Sequence, residues 1–121
     1  MKKFDLEERL INFSMMIIDI VNNTPNNKAG GYLAGQLIKS GISPALNYAE
    51  AQSAESRKDF VHKMKISLKE LRESFVNMKI MHKAKLFKNE ELIISTIKEN
   101  NELISIFVSS VKTAQQNMNK K

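Results

Sequence analysis

Cysteine is absent from all 121 residues, which excludes disulfides, thiolate metal sites and a cysteine nucleophile and suits a reducing compartment. No apolar run approaches the roughly 18–20 residues that span a bilayer, so no membrane partner is expected. Aromatic residues make up 7% of the chain, too few for a stacking platform that reads single-stranded bases in order. Proline occurs twice and glycine four times, and neither interrupts the stretch from Pro44 to Leu86. The opening Met1-Lys2-Lys3-Phe4 runs into Asp5, Glu7 and Glu8 before the first apolar stretch. A secretory signal would continue into an unbroken hydrophobic region and a small-residue cleavage site, so a cytoplasmic protein is expected.

What is present is positive charge and helical periodicity. A net charge of +6 and a pI near 9.6 point to polyanions as partners, because lysine and arginine release counterions from phosphates. The length suits one domain, residues 1–121, that can bury a core without metal or crosslink. Leu6, Leu10, Phe13, Ile17, Ile20 and Val21 recur at helical spacing over Asp5–Asn22, and the run from Asn22 to Asn27, with Pro25 inside it, stops that helix. A second helix is expected from Lys28 to Gln52, with a kink at Ser40–Pro44: Gly41 suits a helix end, Ser43 an N-cap and Pro44 a first helical position. Gly30, Gly31, Ala34 and Gly35 in it permit close approach of a neighbour.

A single helix from Pro44 to Leu86 would be on the order of 65 Å long, too long for a compact bundle. A reversal is therefore expected near Ser53–Ser56, where Ser56-Arg57-Lys58-Asp59 matches a capping box. The third helix then runs to about Leu86. Asn89 caps a fourth, which carries Ile93, Ile97, Ile104, Phe107, Val108 and Val111 and frays over about 115–121. The fold class is all-α, an up-down-up-down four-helix bundle.

On a wheel, Phe60, Met64, Leu68, Leu71, Phe75 and Met78 form the core stripe of the third helix. Lys58, Lys65, Lys69, Arg72, Lys79 and Lys83 gather on one flank, with Lys85 beyond. Glu55, Asp59, Glu70 and Glu73 gather on the other. The basic flank can meet phosphates, or the two flanks of neighbouring copies can meet each other head to tail. Ile11, Met15 and Ile18 lie opposite the core stripe of the first helix, and Ile66 and Ile80 lie outside that of the third. These five mark a homo-oligomer interface, unless the first helix is central in the bundle.

Catalytic chemistry finds no foothold. His62 and His82 stand apart with no HExxH or Glu-x-x-His pattern, so no metal or other cofactor is expected. Ala29-Gly30-Gly31-Tyr32 lacks the lysine of a phosphate loop and follows no strand. The seven methionines read as core or interface filler. One dense polar stretch remains: Gln36, Ser43, Asn47, Glu50, Asp59 and Lys63, with Ser53, Glu55 and Ser56 among small alanines. It reads as a network pinning the kink and the reversal, with Lys63 four residues from its expected partner Asp59. A polar binding pocket is the other reading.

The same stretch carries a resemblance. Gln36 to Ser43, Asn47-Tyr48-Ala49-Glu50-Ala51 and Ala54 to Lys63 resemble the signature of the bacterial four helix bundle proteins, also called 23S ribosomal RNA intervening-sequence proteins. Lys69-Glu70 and Glu73-Ser74 resemble its next block, and Arg9, Phe13 and Pro25 fit its first helix and turn. Lys39 replaces a usual arginine, Ser74 a usual threonine, and Asn77 stands where an aromatic is common. The likeness spans about residues 5–110 and implies a ring-like homopentamer. More distantly, the chain is similar to the accessory proteins of diversity-generating retroelements, which implies association with nucleic acid or with another protein. Composition and resemblance together predict a non-enzymatic, oligomeric basic bundle whose partners are its own copies and RNA or DNA, or alternatively a protein–protein scaffold.

Overall fold

Each helix of the chain starts on a side chain that accepts a hydrogen bond from the backbone N–H three residues on. Asp5 accepts from Glu8 at 3.0 Å, Asn27 from Gly30 at 2.7 Å, Ser56 from Asp59 at 3.0 Å and Asn89 from Leu92 at 3.1 Å. A cap of this kind satisfies one orphan donor of the first turn, and its removal typically costs about 1 kcal/mol. The computed structural model describes residues 5–119. The caps open α1 (Leu6–Asn22), α2 (Lys28–Gln52), α3 (Arg57–Lys83) and α4 (Glu90–Asn119), and no strand occurs among the described residues. α4 continues past residue 115, where composition pointed to fraying, to Asn119; residues 120 and 121 lie outside the described part.

Short connections fold successive helices back on one another, so α2 packs on α1 and α3, α3 on α4, and α1 more lightly on α4. α1 and α3 stand on one diagonal of this four-helix bundle, α2 and α4 on the other. Most of the core is apolar. Leu10, Phe13, Ile17 and Ile20 of α1 meet Leu37 of α2, Met64, Leu71, Met78 and Met81 of α3, and Ile93, Leu103 and Phe107 of α4. Phe60, Leu68 and Phe75, expected in the core stripe, are half-buried, while Val108 is exposed and Leu103, outside the expected set, is fully buried. Tyr48 of α2 sets its ring edge against Phe107, centroids 6.1 Å apart. Burial, helped by Glu7 and Asp5, raises the pKa of its hydroxyl.

α2 is one helix over Lys28–Gln52, as expected, with Pro44 inside it. The segment Ser40–Pro44 does not divide it, so Gly41 ends no helix and Ser43 caps none. Gly41 serves packing: a Cβ there would lie 2.6 Å from Cγ2 of Ile17, so only glycine lets α1 approach this closely. Pro44 lacks the N–H that would complete the ladder, while its carbonyl accepts a hydrogen bond from Ser67 Oγ at 3.1 Å.

Where α1 and α4 touch lightly, Arg9 joins them. Its Nε donates to Glu99 Oε2 at 2.7 Å, and its Nη2 donates to Glu99 Oε1 at 2.8 Å and Glu102 Oε1 at 2.6 Å. The fork matches carboxylate geometry, and Glu99 first, then Glu102, pushes the guanidinium pKa further up.

The end of α3 is a Schellman motif. Leu86 N–H donates to Met81 C=O at 3.0 Å and Lys85 N–H to His82 C=O at 3.1 Å. Lys85 occupies the left-handed position at φ 57°, where a side chain costs roughly 1–2 kcal/mol and glycine costs nothing. Asn100, fully buried on α4, has no protein partner among the described residues for either amide atom.

Candidate nucleic-acid interface

The six cations of the basic flank, Lys58, Lys65, Lys69, Arg72, Lys79 and Lys83, are all exposed on α3. They are strung along about 37 Å of helix, about one turn of duplex DNA. Among the described residues, only Lys69 of the six touches a carboxylate, Glu70 on its own helix at 3.7 Å. Lys79 is steadied instead by the ring of Phe75, with Nζ 4.9 Å from the centroid.

The neighbouring helices divide these cations among three hollows. Lys58, Lys65 and His62 face Gln115 and Asn119 of α4. Lys69 and Arg72 rim a more apolar groove with Tyr32, Gln36, Val76 and Ile80. Lys79, His82 and Lys83 join Lys85 and Lys88 around the α3–α4 turn, floored by the buried Phe87. Lys88 lines the same hollow, and a helical wheel does not find it, because a turn has no helical phase.

The polar stretch around the second turn divides differently from the expectation. Lys63 Nζ pairs with Glu50 Oε1 of α2 at 2.7 Å, not with Asp59. That carboxylate raises the pKa of Lys63. Asn47 Nδ2 donates to Ser43 Oγ at 2.8 Å within α2. The side chains of Gln36 and Asp59 make no hydrogen bond among the described residues, and Asp59 contributes its backbone N–H to the Ser56 cap. The buried polar ladder between α2 and α3 is built from other residues. Ser74 Oγ donates to Ser40 Oγ at 2.8 Å, Ser67 Oγ to Pro44 C=O, and Asn77 Nδ2 to Leu33 C=O at 3.0 Å. The seven-residue spacing of Ser67 and Ser74, two turns apart on one face, was the signal available for it.

The five apolar interface candidates do not form one surface. Ile11, Met15 and Ile18 are exposed on α1. Ile66 is half-buried and Ile80 lines the α2–α3 groove, and α3 is diagonal to α1. α2, which packs on α1, carries a second strip. Ile38 and Ala45 flank Gly41, which touches α1, on one side of α2, and the strip continues through Gly31, Gly35, Ile42, Leu46 and Ala49. Gly31, Gly35, Leu46 and Ala49 are exposed, and a Cβ at Gly35 would meet nothing within 4 Å. Its alternating spacing of four and three is legible in the sequence, but the glycines and alanines read there as packing within the chain.

Among the described residues, no three histidine, aspartate or glutamate side chains gather closely enough to hold a metal ion. No helix among the described residues is long and apolar enough to cross a membrane.

Comparisons with known proteins agree on the fold. A family model described as 23S rRNA-intervening sequence protein matches residues 2–109. A crystal structure of a protein of unknown function from the S23 ribosomal protein family of Bacteroides thetaiotaomicron VPI-5482 superposes with a TM-score of 0.82. It is 24% identical, and the alignment covers 89% of this chain and 99% of that one. No curated protein matches.

Proposed function

We propose, from the premise that the chain belongs to the 23S rRNA-intervening sequence protein family, that it is a subunit of an oligomeric bundle. In this reading copies associate through the α1–α2 side and structured RNA binds along the basic flank of α3. The observation that carries the reading is the separation of the two surfaces. Ile11, Met15, Ile18, Gly35 and Leu46 lie on the α1–α2 side. Lys65, Lys79 and Lys83 lie on α3, diagonal to α1, and border hollows shared with α4 and the α3–α4 turn. Assembly through α1 and α2 therefore leaves the cations open, and a ring of copies would multiply them.

Recognition is through phosphates. Exposed lysines supply point charges without base-edge geometry, and among the described residues Tyr32 is the one aromatic side chain exposed beside them. Binding should weaken steeply with salt, with a log–log slope of about −0.7 to −0.9 per phosphate contact. Reversing Lys65, Lys79 and Lys83 to glutamate should remove RNA binding in an anisotropy titration, while the mass by light scattering and the helical content stay unchanged. Unchanged affinity would overturn the assignment. A reversal that breaks the oligomer would favour the scaffold reading, in which the charge flanks hold copies or a second protein.

A further inference from the structure

The α3–α4 turn gathers more positive charge than the end of a helix uses. Lys79, His82, Lys83, Lys85 and Lys88 surround one hollow of about 600 Å³ against a single carboxylate, Glu90. None of the four lysines is in an ion pair among the described residues. Complementing the α3 dipole accounts for His82 and Lys83 in the last helical turn. It does not account for Lys88, which lies past the helix end, or for Lys85. Lys85 holds φ 57° at the Schellman position, where glycine would sit without strain. The turn is also rigid: two Schellman hydrogen bonds close it, Phe87 anchors it in the core, and Asn89 caps the next helix. Lys79 is steadied over Phe75. Charges that repel one another on a fixed frame, one of them on strained backbone, are what a preformed site for a compact polyanion requires.

We propose that the α3–α4 turn is a discrete polyphosphate site, with Lys79, Lys83, Lys85 and Lys88 converging on two or more linked phosphates. The inference rests on the RNA reading above and sharpens it, because linked phosphates occur at the 5′-triphosphate end of an RNA or on a free nucleotide. A single backbone phosphate carries one charge and would leave most of the cluster unpaired, whereas a terminal triphosphate matches it.

Two variants test the site by calorimetric titration of inorganic tripolyphosphate, with sulfate at matched ionic strength as control. Lys85→Gly relieves the backbone and removes one cation. Its melting temperature should rise by about 3 °C or more, while its affinity for tripolyphosphate falls on the order of ten-fold. Lys88→Gln, which leaves the turn's backbone unchanged, should weaken binding similarly with no change in melting temperature. Wild-type protein that binds tripolyphosphate no better than sulfate, or variants that bind as wild type does, would overturn the site. The source is then read with RNAs of one sequence ending in 5′-triphosphate or 5′-hydroxyl. Tighter binding of the triphosphate form, lost in Lys85→Gly, assigns the RNA end. Equal binding of the two, with tripolyphosphate still captured, assigns a free polyphosphate and upholds the site. Because tripolyphosphate probes the turn without RNA, failure here is distinguishable from failure of the reversal at Lys65, Lys79 and Lys83 to affect RNA.

Discussion

Gly35 lies in the middle of an exposed helix face, with no neighbouring atom that requires a glycine. A glycine in a helix interior is less favourable than alanine by about 0.8–1.0 kcal/mol and than leucine by somewhat less. A Cβ at Gly35 meets nothing within 4 Å, and one at Gly31 meets only Asn26 Oδ1 at 3.8 Å. Gly35→Ala should therefore stabilise an isolated chain by about 0.8 kcal/mol, and Gly35→Leu by about 0.6 kcal/mol. Gly41 is the internal control. Its Cβ would fall 2.6 Å from Ile17, so Gly41→Ala should destabilise by about 1–3 kcal/mol through overpacking. Urea unfolding followed by circular dichroism, at concentrations low enough to dissociate copies, gives these values directly. If the α2 strip seats the helix of a neighbouring copy, Gly35→Leu should also lower the mass seen by light scattering at high concentration, because interaxial distance depends on the side chains at the crossing. A Gly35→Leu protein that is more stable yet assembles as wild type does would refute the placement of the oligomer interface. A Gly35→Ala protein that is less stable would refute the geometry of the face itself.

Three further outcomes follow from other parts of the bundle. Asn100→Leu should stabilise the chain by about 1–3 kcal/mol, since a fully buried amide without protein partners is replaced by an apolar group of similar size. A lower urea midpoint would show that the amide is satisfied after all. Arg9→Leu removes the bond across the lightest helix contact and should cost about 1 kcal/mol, reduced from a buried pair because Glu102 is half in solvent; no change in midpoint would mean the fork is ornamental. Burial raises the pKa of Tyr48 in the folded chain, so its contribution is intact below about pH 10 and is lost as pH rises through the raised value. Stability measured between pH 9 and 12 should therefore fall less steeply in Tyr48→Phe than in wild type, and equal slopes would dismiss the residue.

Helix boundaries were legible wherever they depend on local chemistry. Ser56 and Asn89 cap as the sequence predicts because a cap involves only residues within one turn. Gly41 and Ser43 carry no helix end or cap for the opposite reason: both residue types signal a boundary locally, yet Gly41 answers to Ile17 on another helix. Lys63 shows the same limit, since the i to i+4 rule offered Asp59 while the fold supplied Glu50. The basic flank could be read from a wheel, but its division into three hollows depends on which helices adjoin α3. The exposed strip of α1 was visible as surplus apolar surface. Its continuation on α2 was not, because glycine and alanine carry too little hydropathy to stand out.

The order of helix contacts has a kinetic consequence. Three of the four helix pairings join sequence neighbours, and only the light α1–α4 contact closes the ring, with Arg9 reaching Glu99 across 90 residues. Mostly local contacts give low contact order, so the chain should fold in microseconds to milliseconds. The α1–α4 closure, with the most loop entropy against it, should form after the rate-limiting barrier. Arg9→Leu would then speed unfolding and leave the folding arm of a stopped-flow chevron in place, and a slowed folding arm would instead place that closure in the nucleus. A first helix that closes last is also the one most readily released, and so the element that neighbouring copies could exchange without unfolding the other three.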